Sequence, residues 1–500
     1  MNKKLNDALN EVSDKHLSEA EHFTKSRRRT YWFGAIAAVL ALVICITAIS
    51  GGLIPGTSPV IHGTTPNPPV LSGITNAGSL KLSNLIAAPV YPQMAQKPRE
   101  NDYSSYKDYL TALANWERMA DTGRYYTAPQ GYADSLTDFF SDSAPEFLNS
   151  EKNSTYSPLS IYIALAMLAE TTDGNSRQQI LDVLGLDSVE ALREQVNHVW
   201  NVHYCDDGAT TLLLANSLWL DNGFSFHQST ADILAENHHA SSFHGNLSSS
   251  EMNKQLHAWL NANTGGLLQE QVAETNFPLG TVFALANTVY FTAGWETEFE
   301  AKNNQQMLFH CDGYDLQTIF MRRTLKSSTY YWGENFGAVR LELTGNNAMW
   351  LILPDEGYTL ADILESDEYL QMTMDPAHWE NRYKYDIHLS LPKFDVSNSD
   401  DTDIIGKLQN MGITDVFGSD ADFSPLTPSS LQISEATHGA RVVIDEEGCM
   451  AAAFTLLIED KSPSISPLYP EIDFTLDRPF LFVISSQDNL PMFIGTVTQP

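Results

Sequence analysis

Basic residues are scarce in this chain: 29 Lys and Arg stand against 62 Asp and Glu in 500 residues, a formal net charge of −33. So acidic a surface repels phosphate backbones, which argues against nucleic acid as a partner, and otherwise confers solubility. Cysteine is scarcer still. Cys45, Cys205, Cys311 and Cys449 are too few and too scattered for a disulfide framework or a paired metal motif, and the sequence leaves open whether Cys205 meets Cys311. The motifs of catalysis are missing as well. There is no G-x-S-x-G, no H-E-x-x-H and no G-x-x-x-x-G-K-[ST], and the 14 histidines have no metal-ligand spacing. Neither an enzyme nor a bound cofactor or metal is expected.

What the chain does have is apolar residues, 43% with 10% aromatics, enough to bury a large core rather than remain disordered. One run stands apart. Between Thr30 and Leu80 no charged residue occurs, and YWFGAIAAVLALVICITAI (31–49) follows directly on Lys25, Arg27, Arg28 and Arg29. Its length suits a membrane-crossing helix, and the basic cluster orients it with the amino terminus inside. A cleaved signal peptide is the rival, disfavoured by the polar thirty-residue leader.

The expected organisation is then a cytoplasmic leader (1–30), a transmembrane helix (31–54), a Pro/Gly/Ser/Thr-rich linker (55–83), a helical appendage (84–131) and a main domain (132–500). The main domain would lie outside the plasma membrane on a single-pass anchor. In the appendage, Tyr109, Leu110, Leu113 and Trp116 fall at helical spacing; in the leader, Leu5, Leu9 and Val12 do so.

Several segments carry a pattern in fixed order. NSTYSPLSIYIALAMLAETTDGNSRQQILDVLG starts at Asn153, with Ser157-Pro158 opening a helix whose Ile161, Ala164, Leu165 and Leu168 form an apolar stripe. FALANTVYFTAGWETEF (283–299) reads as a buried central strand. LLLANSLWLD (212–221), MWLILPDEG (349–357), LSLPKFDV (389–396), LQNMGITDVF (408–417) and the closing DRPFLFVISSQDNLPMFIGTVTQP (477–500) complete the set.

In order and spacing these segments resemble the serpins, the serine-protease-inhibitor family, from about Tyr132 to Pro500. The resemblance implies an α+β fold: a large, mostly antiparallel central sheet, two further sheets, eight to nine helices and an exposed reactive-centre loop. It also implies a target protease as partner, of the serine or the cysteine class, and a monomer that is an inhibitor rather than an enzyme. Ser157, Ser160, Asn287, Trp295 and His438 match the family's residues at the opening point of the main sheet. An anchored, cysteine-poor exported member suits a bacterium.

Serpins include inhibitors and non-inhibitors, and the hinge of the loop separates them. Here Glu446, Glu447 and Gly448, then Cys449, Met450, Ala451, Ala452, Ala453, Phe454 and Thr455, match the inhibitory type. In that mechanism the cut loop enters the sheet as a new strand. Every second residue would then point inward, and the set Cys449, Ala451, Ala453, Thr455 and Leu457 contains no charge and no proline. The bond cut is ambiguous: counting back from Arg478-Pro479-Phe480 gives Ile465-Ser466, and counting forward from Gly448 gives Lys461-Ser462. The alternative function is a non-inhibitory serpin acting as a cell-surface binding module. A third reading is a membrane sensor whose leader binds a cytoplasmic partner.

Overall fold

The computed structural model describes residues 36–48, 84–92, 94–123, 126, 128–129, 131–397, 403–446 and 469–500. The expected leader and linker lie outside the described residues. Among the described residues, two large sheets hold seventeen strands. The first sheet contains β1 (Ile36–Ala48), β2 (Leu85–Ala87), β4 (Cys205–Asp206), β5 (Thr210–Asp221), β6 (Ala240–Gly245), β7 (Thr281–Ala293), β13 (Phe394–Ser397) and β14 (Leu431–Ile444), in the order β13-β14-β1-β7-β5-β6-β2, with β4 on β5. The second contains β3 (Ser154–Tyr156), β8 (Gln305–Cys311), β9 (Tyr314–Trp332), β10 (Phe336–Leu343), β11 (Asn347–Pro354), β12 (Arg382–Pro392), β15 (Glu471–Thr475), β16 (Phe480–Ser485) and β17 (Pro491–Val497). Among the described strands, only the β5–β6 and β12–β15 pairings are parallel.

The expected α+β, mostly antiparallel architecture is present, with one difference of continuity. The two smaller sheets are hydrogen-bonded as one, because the nineteen-residue β9 pairs with β8, β10 and β12 in turn. Helices in the described residues comprise seven of ten residues or more and four of five to seven, so the expected eight to nine falls between the long set and the full set. Tyr106–Gly123 is helical, with Tyr109 buried and Leu110 exposed. Cys205 and Cys311 form no disulfide with each other.

The near-continuous apolar reading of β7 has a simple cause. Phe283, Leu285, Val289 and Phe291 belong to the main core between the sheets, whereas Ala284 and Ala286, on the opposite face, pack with Trp219, Trp259 and Leu256 beneath the helix Ser250–Asn263. With both faces covered, alternation of polar and apolar residues disappears. The helix Pro158–Thr171 is buried along its whole length, between β7 of the first sheet and β17 of the second. Ser157 caps it, accepting the Ser160 N–H at 3.2 Å, and Pro158 takes the first helical position, where no N–H is needed.

The expected transmembrane helix is corrected over its central part. Ile36–Ala48 is a strand, antiparallel to β7 on one side and to β14 on the other. Residues 31–35 and 49–54 lie outside the described residues, and no described helix is long and apolar enough to cross a membrane. An unbroken apolar run satisfies a bilayer helix or a strand in the middle of a covered sheet equally well, and Val39, Val43, Ile44, Ile46 and Thr47 are β-branched residues that favour the strand.

Candidate functional site

The site has two parts, one beneath the middle of the first sheet and one at the end of β14. Beneath the sheet, Asn216 on β5 and Asn287 on β7 are register partners on the face that points into the main core. A side-chain amide in an apolar core must find partners, and these two find each other. Asn287 donates to Asn216 Oδ1 at 2.6 Å, Asn216 donates to the His238 carbonyl at 2.5 Å, and the Ser160 hydroxyl donates to Asn287 Oδ1.

The chain of contacts continues back to the same buried helix. His238 Nε2 lies 3.0 Å from Glu170 Oε1, and Glu170 receives two hydrogen bonds from Arg193, each 2.7 Å. Burial works to raise the Glu170 carboxyl, but Arg193 and His238 outweigh it and hold it below its ordinary range. Ser160 and Glu170 thus tie the helix to β7, β5 and the Arg193 helix (Val189–His203) by polar contacts inside the core.

His438, on β14, also faces the core but stands apart. Both its ring nitrogens are buried without a hydrogen-bond partner among the described residues, and its ring packs 6.0 Å from that of Phe147. Burial, with a smaller contribution from Lys407, pushes its pKa down to about 3, so the imidazole is neutral. The reason for its isolation is β1. Leu42 is the register partner of Asn287 on one side and of His438 on the other, so a whole strand separates them.

Of the five residues read from the sequence as one cluster, the structure brings Ser157, Ser160 and Asn287 together and sets His438 one strand further away. Trp295 belongs elsewhere, at the hinge end. It follows the end of β7, eight residues beyond Asn287, a strand distance of about 26 Å.

At that end the base of the loop is held firmly. The Trp295 indole donates to the Asp445 carbonyl at 2.9 Å, and the Phe299 N–H donates to the Glu446 carbonyl at 3.1 Å. Lys393 Nζ lies 2.5 Å from the Glu446 carboxylate, which also accepts from the Asn304 amide. Burial favours the neutral acid here, yet Lys393 and Asn304 outweigh it and keep Glu446 ionised. Trp295 packs edge-on against Phe299, whose ring carries the Arg323 guanidinium at 4.7 Å. The remaining hinge residues Glu447, Gly448, Cys449, Met450, Ala451, Ala452, Ala453, Phe454 and Thr455, and both candidate bonds, Ile465-Ser466 and Lys461-Ser462, lie outside the described residues.

Asn216, Glu170, Arg193, Asn304 and Lys393 were not singled out from the sequence. The available signal was a lone amide in LLLANSLWLD and a lone carboxylate in an otherwise apolar helix, each of which demands a partner when buried. A Ser–His–Asp contact also occurs, with His203 Nε2 at 3.1 Å from Ser486 Oγ and 3.3 Å from Asp488 Oδ1. His203 and Ser486 are sealed in the interior, which leaves no surface for a substrate. Burial pushes His203 down to about 4 and Asp488 up to about 6, so the contact is a hydrogen bond rather than a nucleophile-activating ion pair.

This geometry accords with the comparisons. Residues 134–500 match the serpin (serine protease inhibitor) family. The chain belongs to the serpin family. It is 29% identical over 388 residues to human Serpin B3, covering 73% of this chain and 98% of that one, and 27% identical over 357 residues to Alpha-1-antiproteinase 2 of Equus caballus, covering 70% and 82%. Among solved structures it resembles the thermophilic serpin Tengpin in the native state, with a TM-score of 0.63 at 25% identity over 75% of this chain and 95% of Tengpin. At the level of the family, relatives named as antiproteinases support an inhibitor of proteases.

Proposed function

We propose that this protein is a suicide inhibitor of serine proteases, with cysteine proteases as a second target class, trapping the acyl-enzyme when its cut loop enters the first sheet. The observation that carries this reading is the continuity of β14 with the hinge. The strand ends at Ile444, its exit is held by Trp295, Phe299 and Lys393, and the small residues Ala451, Ala452 and Ala453 follow at the spacing insertion needs.

The charge-free run after Arg29 supports a tether through residues 31–54, with the leader cytoplasmic and the serpin domain, a monomer, outside the plasma membrane. Scarce cysteines and an exported, anchored domain suit a bacterial surface. A second reading, a non-inhibitory surface binding module, draws on one observation: β1 stands where an inserting loop would go.

The test is to place the full chain in lipid vesicles and add trypsin, elastase and subtilisin in turn. A denaturant-resistant band at the summed mass is expected. The first residue of the released peptide then separates Ser466 from Ser462. Clean cleavage by all three without that band overturns the inhibitory reading in favour of the binding module.

A further inference from the structure

A loop that enters a sheet needs two strands with unpaired backbone between them. In this chain those strands are β7 and β14. The loop leaves β14 at Ile444, so on turning back it would run antiparallel to β14, starting beside Val443 and ending beside Leu431. β1 already runs that course: Ala37 pairs with Val443 and Ala48 with Leu431, while Ile36 pairs with Ala293 on β7 and Thr47 with Thr281. It has the position and direction of an inserted strand, is thirteen residues long like β7 beside it, and satisfies the backbone groups of both neighbours.

A second observation points the same way. His438 is buried with neither ring nitrogen hydrogen-bonded among the described residues, and Asn287, the polar group one strand away, shares its register partner Leu42. Removing β1 and closing the sheet would make Asn287 and His438 register neighbours and give the orphaned imidazole a partner. Chain connection permits β1 to come and go. From Ala48 to Leu85 the chain can extend about 120 Å, whereas β1 and β2 are four strand spacings apart, about 20 Å.

We propose that, outside a bilayer, residues Ile36–Ala48 fill the slot between β7 and β14 that the cut loop would use, so the unanchored chain cannot trap a protease until this segment is withdrawn into a membrane. The segment has two homes, each satisfying an apolar run, and it cannot occupy both. Anchoring arms the inhibitor, and a copy that misses or leaves the membrane is inert. The slot assignment stands on strand pairing alone; its consequence for trapping rests on the inhibitory reading above.

The experiment uses the native Cys45, the register partner of Glu435 on β14, which is exposed. Register partners lie about 4.5–5.5 Å apart between Cα atoms, within disulfide range. Full-length Glu435→Cys, in detergent-free buffer with copper-phenanthroline as oxidant, should form a disulfide between Cys45 and the introduced thiol. Peptide mass spectrometry finds that link, and the Cys45→Ala background should lack it. The same protein in phosphatidylcholine vesicles should form about tenfold less. Full-length Leu42→Glu, which disfavours the central strand, should trap protease in buffer about tenfold more than the parent.

Absence of the link in buffer overturns the slot assignment, whatever the vesicle-borne protein does to proteases. A link that forms while no form of the chain ever traps leaves the slot assignment standing and removes the inhibitory reading. A link equally abundant in vesicles and buffer overturns the membrane switch.

Discussion

Asn287 and His438 lie on different strands and share one register partner, Leu42 of the strand between them. Asn287 is bonded at both ends of its amide, to Ser160 and Asn216, whereas neither ring nitrogen of His438 has a hydrogen-bond partner among the described residues. The asymmetry is a direct consequence of which segment fills the middle of the sheet.

Replacing Asn287 with alanine removes the acceptor for Ser160 and the donor to Asn216, both in the dry core. Each buried group left unpaired costs about 1–3 kcal/mol. Denaturant melts should show a lower midpoint for the variant, with an unchanged slope. A midpoint equal to the parent's would show that this amide pair contributes nothing to stability.

Acid should destabilise the fold through the histidines that desolvation keeps neutral. His438 is depressed to about 3, and His203 and His239 to about 4, chiefly by burial. Below pH about 6.5 the unfolded chain takes up protons that the folded chain refuses, so stability is complete above that pH and declines as pH falls toward these values, by up to about 1.4 kcal/mol per unit per group. Asp488, raised to about 6 by burial, works in the opposite sense and offsets one of the three. Melting temperatures between pH 7.5 and 4.5, a range chosen to bracket about 6.5, should fall for the parent and fall less steeply for His438→Gln. Parallel profiles would exclude His438 as a contributor.

Gly495 on β17 has no room for a side chain: a Cβ there would stand 2.5 Å from Phe482 Cζ and 2.7 Å from the Ser154 carbonyl oxygen of β3. Gly495→Ala must push apart β3, β16 and β17, at a cost of roughly 1–3 kcal/mol. The check is the denaturation midpoint, and a stable alanine variant would mean that the closing hairpin yields more readily than its packing implies.

A charge in the hinge should convert the inhibitor into a substrate. Ala453 is in the set that would point inward, and Ala453→Arg asks a guanidinium to enter the sheet. Cleavage of the loop should keep its rate, while the ratio of cleaved to trapped protein rises about tenfold or more, each tenfold corresponding to about 1.4 kcal/mol on the insertion step. It is counted by titrating protease against the vesicle-borne chain. An unchanged ratio would remove the insertion step from the mechanism.

Parts of this site were legible from local signals alone. Ser157-Pro158 announces a capped helix because the cap and the fixed proline φ act within one turn, and FALANTVYF announces a central strand because both faces are apolar. The partners of Glu170 and Asn287 were not legible. His238 is 68 residues from Glu170 and Asn216 is 71 from Asn287, and a lone polar residue in an apolar run states a need without naming what meets it.

The sequence by itself determined the order of the serpin segments, the uncharged hinge after Glu447, and the existence of a charge-free run from Tyr31 onward, because composition and spacing are properties of the chain. Only the tertiary structure decided what that run becomes. Over Ile36–Ala48 it is a strand, because β7 and β14 offer unpaired backbone on both sides. An apolar segment carries no instruction of its own beyond leaving water, and the surroundings that remove it from water set its conformation.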